Sequence, residues 1–461
     1  MLLYLVTFNL ARALVDPQLL GQTLLDGLPN RAPLPDVIVC SLQEVSPVAY
    51  AFLGGSYLTP YFDRIAKSVS IAAKKHAGDE HAYRSVVLHH VGMTAIAVFA
   101  KPDVADRIRW MQTAAVGVGF METGHKGAVG VRLALATHAD SDDEVEMTFV
   151  AAHLAPMEDS VPRRLEDWEH IVRNLVFEPA ADHAASKTAG ARAIESATSE
   201  AVAQQGEQEP LISPSYASGP ASALRGLYTA TSHIFFAGDL NFRTHDTGPA
   251  PDDHCTRFPQ PHHPEDSPQH YLRLLATDQL NRERRAGRIL QGFSELDIAF
   301  PPTYKYSTHL RPDPTTNPTP SPDQAWAWAK HRWPSWCDRI LFLPPPPQPS
   351  SSPSSPSFSP LKYTSLPLLP SSDHQPVALA LEVSTDVPLA PPAKDASDDD
   401  VRTHPPFPLN PDWRARRDAA RRREIAFGVL AYLTWTYEGN AVLLALVVGA
   451  LSVSAIAKSF S

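Results

Sequence analysis

The richest chemistry in the chain stands in the stretch FAGDLNFR, where Asp239, Asn241 and Arg243 follow an apolar run, Ile234-Phe235-Phe236-Ala237. In an extended chain, alternate side chains point the same way. An acid, an amide and a cation leaving a core strand on one face suit a metal ion and a phosphate. A Gly-Asp turn after a strand is the plainer alternative, and these residues alone do not decide between the two.

The same placement recurs along the chain. Apolar runs over Leu2–Leu10, Asp36–Glu44 and Met147–Leu154 deliver Asn9, Glu44 and His153 at their ends. Asp338 and Arg339 lie in the run WPSWCDRILFL, and Asp373 and His374 open the last run, which continues through Val383. Such residues are seldom buried without partners, so a shared site accounts for them better than packing does. Carboxylate and amide oxygens are hard ligands that suit Mg²⁺ together with a substrate phosphate. A histidine backed by a carboxylate serves as a general base or as a phosphate-binding cation.

Many β runs interleaved with long helical stretches must position these groups. The helical stretches are Pro17–Leu28, Pro47–Lys75, Arg163–Val176 and His270–Arg288. The pattern predicts an α/β fold, a two-sheet β-sandwich flanked by helices. The 461 residues include 45 prolines, about twice the usual share, and these are clustered. One large domain over 1–386 is therefore expected, with disordered insertions at about 180–223, 310–325 and 344–360. A net charge of −10 argues against a general nucleic-acid binder. Cys40, Cys255 and Cys337 have no disulfide or metal spacing, which suits a reducing compartment, and no signal-peptide pattern opens the sequence.

Residues 387–412 form a Pro/Asp-rich linker, and 413–423 hold six arginines. These arginines are expected to stay cytosolic and to meet anionic lipid. Residues 425–457 read as a C-terminal membrane helix or anchor. It is either a single tail anchor centred on Ala441–Ala457 or a helical hairpin turning at Glu438-Gly439-Asn440.

Eight motifs now stand in one order: TFNL, LQEV, HKGAVGVRL, AAHLAP, FAGDLNFR, PPTYKY, WPSWCDRIL and SDHQPV. Over roughly Met1–Val383 the chain resembles the inositol polyphosphate 5-phosphatases of the endonuclease/exonuclease/phosphatase superfamily. The resemblance implies that Glu44 and Asn9 hold Mg²⁺, with Asp373 supporting the metal side. It implies that Asp239 polarises the attacking water and that Asn241 orients water or phosphate. His374, oriented by Asp338, and His153 would contact phosphate oxygens. Lys126, Tyr304, Lys305 and Arg339 would recognise phosphate, while Arg243 buttresses the site. His125 stands where the family usually has Asn, which leaves one substrate contact open.

The expected reaction is Mg²⁺-dependent removal of the 5-phosphate from a phosphoinositide such as PI(4,5)P2, or from a soluble inositol polyphosphate. It would take place at the cytosolic face of a membrane, with the endoplasmic reticulum among the candidates. The rivals are a nuclease or sphingomyelinase of the same fold, and a non-catalytic membrane adaptor whose Pro-rich loops bind partners.

Overall fold

The computed structural model describes residues 1–138, 141–179, 225–307, 326–345, 358–385, 388–389 and 400–459. The insertions expected at 180–223 and 310–325 fall outside the described residues, as do 346–357 and 390–399.

The strands are β1 Leu2–Asn9, β2 Val37–Gln43, β3 Arg84–Val91, β4 Thr94–Ala100, β5 Ile108–Gly117 and β6 Gly127–Ala136. They continue with β7 Glu144–His153, β8 Glu178–Pro179, β9 Ser232–Asp239, β10 Asp338–Leu343, β11 Phe358–Ser365 and β12 Val377–Val383. The helices are α1 Pro17–Thr23, α2 Val48–Leu53, α3 Thr59–Ala77, α4 Pro102–Ala105, α5 Val161–Asn174, α6 Asp253–Thr256, α7 Gln279–Arg285, α8 Trp413–Trp435 and α9 Tyr437–Ser459.

Two six-stranded sheets form the sandwich, in the orders β11-β12-β1-β2-β4-β3 and β10-β9-β7-β6-β5-β8. The pairs β1–β2 and β7–β9 are parallel. Strands covered on both faces need near-continuous apolar sequence, and β1, β2, β4, β6 and β9 are buried throughout. Leu3, Val39 and Val98 of one sheet meet Val131, Phe149 and Phe235 of the other between the layers. On the outside, α1 and α3 cover the first sheet, packing Leu20, Ile65 and Val69 over Tyr4, Ile38 and Cys40. On the second, Trp168 of α5 stands edge-on to Phe236 and Phe293, at ring-centroid distances of 5.5 and 6.3 Å.

Three elements depart from the sequence reading. The helix expected over 47–75 breaks at Gly54 and Gly55, whose φ values of 74° and 61° end α2 before α3 starts. The helix expected over 270–288 divides at Asp278, whose carboxylate caps α7 by accepting the Asn281 N–H at 2.9 Å. The loop expected over 344–360 ends in β11, whose Phe358 packs on Phe235 and Phe342.

The C-terminal region departs as well. Residues 400–412 of the expected linker lie against the domain. Asn410 N–H donates to the Arg173 carbonyl at 2.8 Å, and Leu409 packs over Gly226. α8 turns Trp413, Ala420, Glu424, Gly428 and Ala431 inward, and a Cβ on Gly428 would sit 2.9 Å from Phe52 Cβ of α2. Arginines expected to face lipid are committed to the protein. Arg414 and Arg417 pair with Glu178, Arg416 with Glu122, Arg421 with the bare carbonyls of Phe52 and Leu53, and Arg423 with the Met121 carbonyl. The buried Glu178 and the last carbonyls of α2 hold their arginines more firmly than a screened surface would. Among the described residues, one helical segment, Tyr437–Ser454 in α9, is long and apolar enough to cross a membrane.

Candidate active site

Strand register builds the site. Asp338 on β10 sits across from Asp239 on β9, and Asp239 lies beside His153 on β7. Gly127 of β6 pairs with His153, so Lys126 adjoins the end of the same row. From the other sheet, Asn9 of β1 lies beside Gln43 of β2, and Glu44 follows. The sheets are tied here: Asn9 Nδ2 donates to Asp239 Oδ2 at 2.9 Å, and Ser41 Oγ donates to the Ala237 carbonyl at 3.0 Å.

His374 enters from the turn before β12. Its Nδ1 lies 2.9 Å from Asp338 Oδ2, which also accepts Thr303 Oγ1 at 2.7 Å. Nε2 is thereby turned inward, 3.9 Å from Asp239 Oδ2. Burial by itself would lower the pKa of His374. The carboxylates of Asp338, Asp239 and Asp373 outweigh burial and raise it to about 9. Burial would raise Asp239, but His153, His374 and Lys126 hold it far below the usual carboxylate range. The site therefore pairs an imidazolium with an ionised acid.

Lys126 Nζ donates to His153 Nε2 at 2.6 Å and stands 3.7 Å from Glu44 Oε1. Burial lowers the ammonium's pKa against the pull of Glu44 and Asp239. Burial and Lys126 also press His153 below its ordinary value, against the pull of Asp239, whose Oδ2 lies 3.2 Å from the same Nε2. For Glu44, burial pushes upward, and His153, Lys126, Arg12 and His374 bring it below the ordinary value.

Backbone strain gathers here too. Glu44 and Asn241 have φ of 47° and 57°, a conformation that costs a non-glycine residue about 1–3 kcal/mol. Asn241 is held by its Nδ2 bond to the Leu154 carbonyl at 3.0 Å and by Arg243 Nη2 on its Oδ1 at 2.5 Å. Arg243 also lies over the Tyr304 ring, 4.3 Å from its centroid, and that ring is 4.6 Å from the ring of His374.

Asn9, Glu44, Lys126, His153, Asp239, Asn241, Asp338 and His374 thus come together, with Tyr304 beside them. Lys305 and Asp373 pair with each other at the half-buried rim. Asp373, expected on the metal side, instead spends its carboxylate on Lys305. Arg339 lies outside the cluster altogether. It is fully buried and donates to Glu295 at 2.7 and 2.6 Å and to Asp278 at 3.1 Å. A guanidinium so enclosed does not reach a phosphate, so Arg339 leaves the substrate-binding set.

Sequence reasoning missed Arg12, Thr303 and Ser372. Arg12 N–H donates to the Glu44 carbonyl at 2.7 Å, and its Nε is 3.0 Å from Glu44 Oε2. Ser372 Oγ donates to the Asn9 carbonyl at 2.6 Å and accepts the His374 N–H at 3.1 Å. Thr303 and Ser372 sit inside PPTYKY and SDHQPV, and for Ser372 the hydroxyl next to Asp373 was a usable signal. Arg12 carried none.

The donor set fits a hard divalent cation. Asp239 and Asp338 bring carboxylate oxygens within 4.8 Å of each other, with the His374 ring bonded to Asp338 beside them. Asp338 Oδ1 is buried without a hydrogen-bond partner, and Glu44 and Asn9 add oxygens at adjacent strand ends. Oxygen donors of this kind match Mg²⁺.

The fold is thus an α/β sandwich with its polar cluster where the ends of both sheets meet. The chain belongs to Endonuclease/Exonuclease/phosphatase family 2, which matches residues 6–380. It is similar to type II inositol polyphosphate 5-phosphatase 15 of Arabidopsis thaliana, 30% identical over 54% of this chain and 19% of that one. Type I inositol polyphosphate 5-phosphatase 13 of the same plant is 28% identical over 61% of this chain and 22% of the relative. Phosphatidylinositol 3,4,5-trisphosphate 5-phosphatase 2B of Danio rerio is 26% identical over 56% and 16%. The chain therefore spans less than a quarter of each relative's length. In solved structures, the inositol polyphosphate 5-phosphatase domain of SPsynaptojanin, in complex with inositol (1,4)-bisphosphate and calcium ion, shares the fold. Its TM-score is 0.53 at 19% identity, covering 92% of both chains.

Proposed function

We propose that the chain hydrolyses the 5-phosphate of an inositol ring, in a phosphoinositide such as PI(4,5)P2 or in a soluble inositol polyphosphate, with Mg²⁺. The observation that carries this reading is the convergence of Glu44, Asn9, His153, Asp239, Asn241, Asp338 and His374 in one row at the sheet ends. The family and the names of the relatives support it.

Glu44 and Asn9 would hold the metal, which when bound supplies a Lewis acid for the phosphoryl and leaving oxygens. Asp239 is ionised and accepts a hydrogen bond from water, aligning its oxygen with the phosphorus. So depressed a carboxyl does not retain the proton, which passes to phosphate or solvent. His374 donates from Nε2 to a phosphoryl oxygen, with Nδ1–H fixed by Asp338. Lys126 and Lys305 add positive charge for the phosphates. The water oxygen bonds to phosphorus, the bond from phosphorus to the ring oxygen breaks, and inorganic phosphate and a ring hydroxyl result. No covalent intermediate forms at Cys337. Burial pushes that thiol well above its ordinary value, and its Sγ contacts the Phe242 carbonyl at 3.7 Å.

On the same reading α9, a segment long and apolar enough to cross a membrane, would anchor the enzyme there with the catalytic domain on the cytosolic side. Tethering raises the effective concentration of lipid head groups. Phosphate release from PI(4,5)P2, soluble inositol trisphosphate and DNA, each with Mg²⁺ or chelator, tests the reading. Release from the inositol substrates that stops with chelator and in Asp239→Ala is expected. Release from DNA alone, or release persisting in Asp239→Ala, overturns it.

A further inference from the structure

Glu424 of α8 is a carboxylate on the helix that precedes the apolar segment, and it is 3% exposed. Its Oε1 accepts the Gly124 N–H at 2.7 Å, and its Oε2 takes Arg421 Nη1 at 3.1 Å. Gly124 stands two residues before Lys126. Its carbonyl accepts the Met93 N–H at 2.8 Å. A Cβ at Gly124 would come within 2.6 Å of Gly92 N and 2.9 Å of Glu424 Oε1. The loop is therefore clamped in a slot that holds backbone only. Two further contacts join α8 to the same loop: Arg423 Nη1 donates to the Met121 carbonyl at 2.7 Å, and Arg416 pairs with Glu122.

A mere tether has no reason to bury an acid, since an enclosed carboxylate is costly unless its bonds are made. Here those bonds run to the loop that carries Lys126 and to the arginine that caps α2. We propose that Glu424 is a positioning residue, and that α8, docked through it, sets where Lys126 stands in the site. The inference rests on the reading of Lys126 as a phosphate contact. It adds that the C-terminal helix completes the site as well as leading to the membrane.

The test uses the full chain in detergent with soluble inositol trisphosphate, so that membrane binding does not enter. Glu424→Ala should raise KM by roughly 10- to 100-fold, the loss of one charged hydrogen bond to phosphate, with kcat changed less. Amide hydrogen exchange should accelerate within residues 119–127 and stay unchanged in the sheets. Glu424→Gln keeps an acceptor for Gly124 N–H and should restore both, while Asp418→Ala on the exposed face should match the parent. Arg423→Ala, which removes the bond to Met121 and the arginine's charge beside Glu122, gives a milder form of the same signature if Glu424→Ala does not fold. Unchanged loop exchange in Glu424→Ala overturns the proposal, as does Glu424→Gln behaving like Glu424→Ala. Should the parent release no phosphate, the exchange measurements still decide the role of α8, and the catalytic reading fails on its own.

Discussion

Asp338 and Arg339 are neighbours in sequence with opposite tasks. Asp338 faces the cluster and fixes His374 through Nδ1. Asp338→Asn should keep the fold and lower kcat by roughly 10- to 100-fold, as loss of an orienting carboxylate does elsewhere. Steady-state kinetics with a soluble substrate check this, and an unchanged kcat would remove Asp338 from the machinery. Arg339→Ala should act on stability instead. It leaves Asp278 buried without its cation, although Glu295 keeps Arg284 at 3.4 Å, and an uncompensated buried charge costs about 3–5 kcal/mol. Denaturant unfolding should show that loss, while KM of the folded fraction stays near the parent's. The split was legible in the amino-acid order, because adjacent residues in a strand point to opposite faces. If Asp338 serves the site, Arg339 does not.

Among the elements, the strands were the most legible, because long apolar runs leave few alternatives. The strand-end positions of Glu44, His153 and Asp239 followed from that. The helices were less legible. Gly54-Gly55 marked a break inside 47–75, but the helical spacing on both sides masked it. Asp278 ends one helical turn and starts another because of its own capping bond and its partner Arg339, which lies 61 residues away. Arg12 and Glu424 were hidden for a stronger version of this reason. The bond between Glu424 and Gly124 spans 300 residues, and no local pattern announces it. β9 and β7 depend on close backbone approach, since a Cβ on Gly238 would lie 1.9 Å from the Ala152 carbonyl oxygen. Gly238→Ala should therefore push the parallel pair apart and carry Asp239 with it. A loss of about 3 kcal/mol or more in denaturant unfolding is expected, together with loss of activity. A stable, active variant would contradict the register described for Asp239.

For the molecule as a whole, the tail divides at Thr436. α8 belongs to the domain by its contacts, and α9 stands clear of it. A chain cut after Thr436 should leave membranes yet keep its activity on a soluble substrate, because α8 stays docked. A chain cut after Asp412 should leave membranes too, and should also bind the soluble substrate more weakly. Sedimentation with vesicles and phosphate release measure both. Continued sedimentation of the chain cut after Thr436 would refute anchoring by α9.

β1 has a further consequence. It pairs in register with β12, Leu2 opposite Glu382, so the middle of the first sheet joins residues about 380 positions apart. At a synthesis rate of roughly 5–20 residues per second, β1 waits about 20–75 s for that partner. Throughout that time one edge of a largely apolar strand stays open to wrong partners. The second sheet closes earlier along most of its width. The nascent chain should thus need a chaperone for its N-terminal strand, and slow translation should lower its yield.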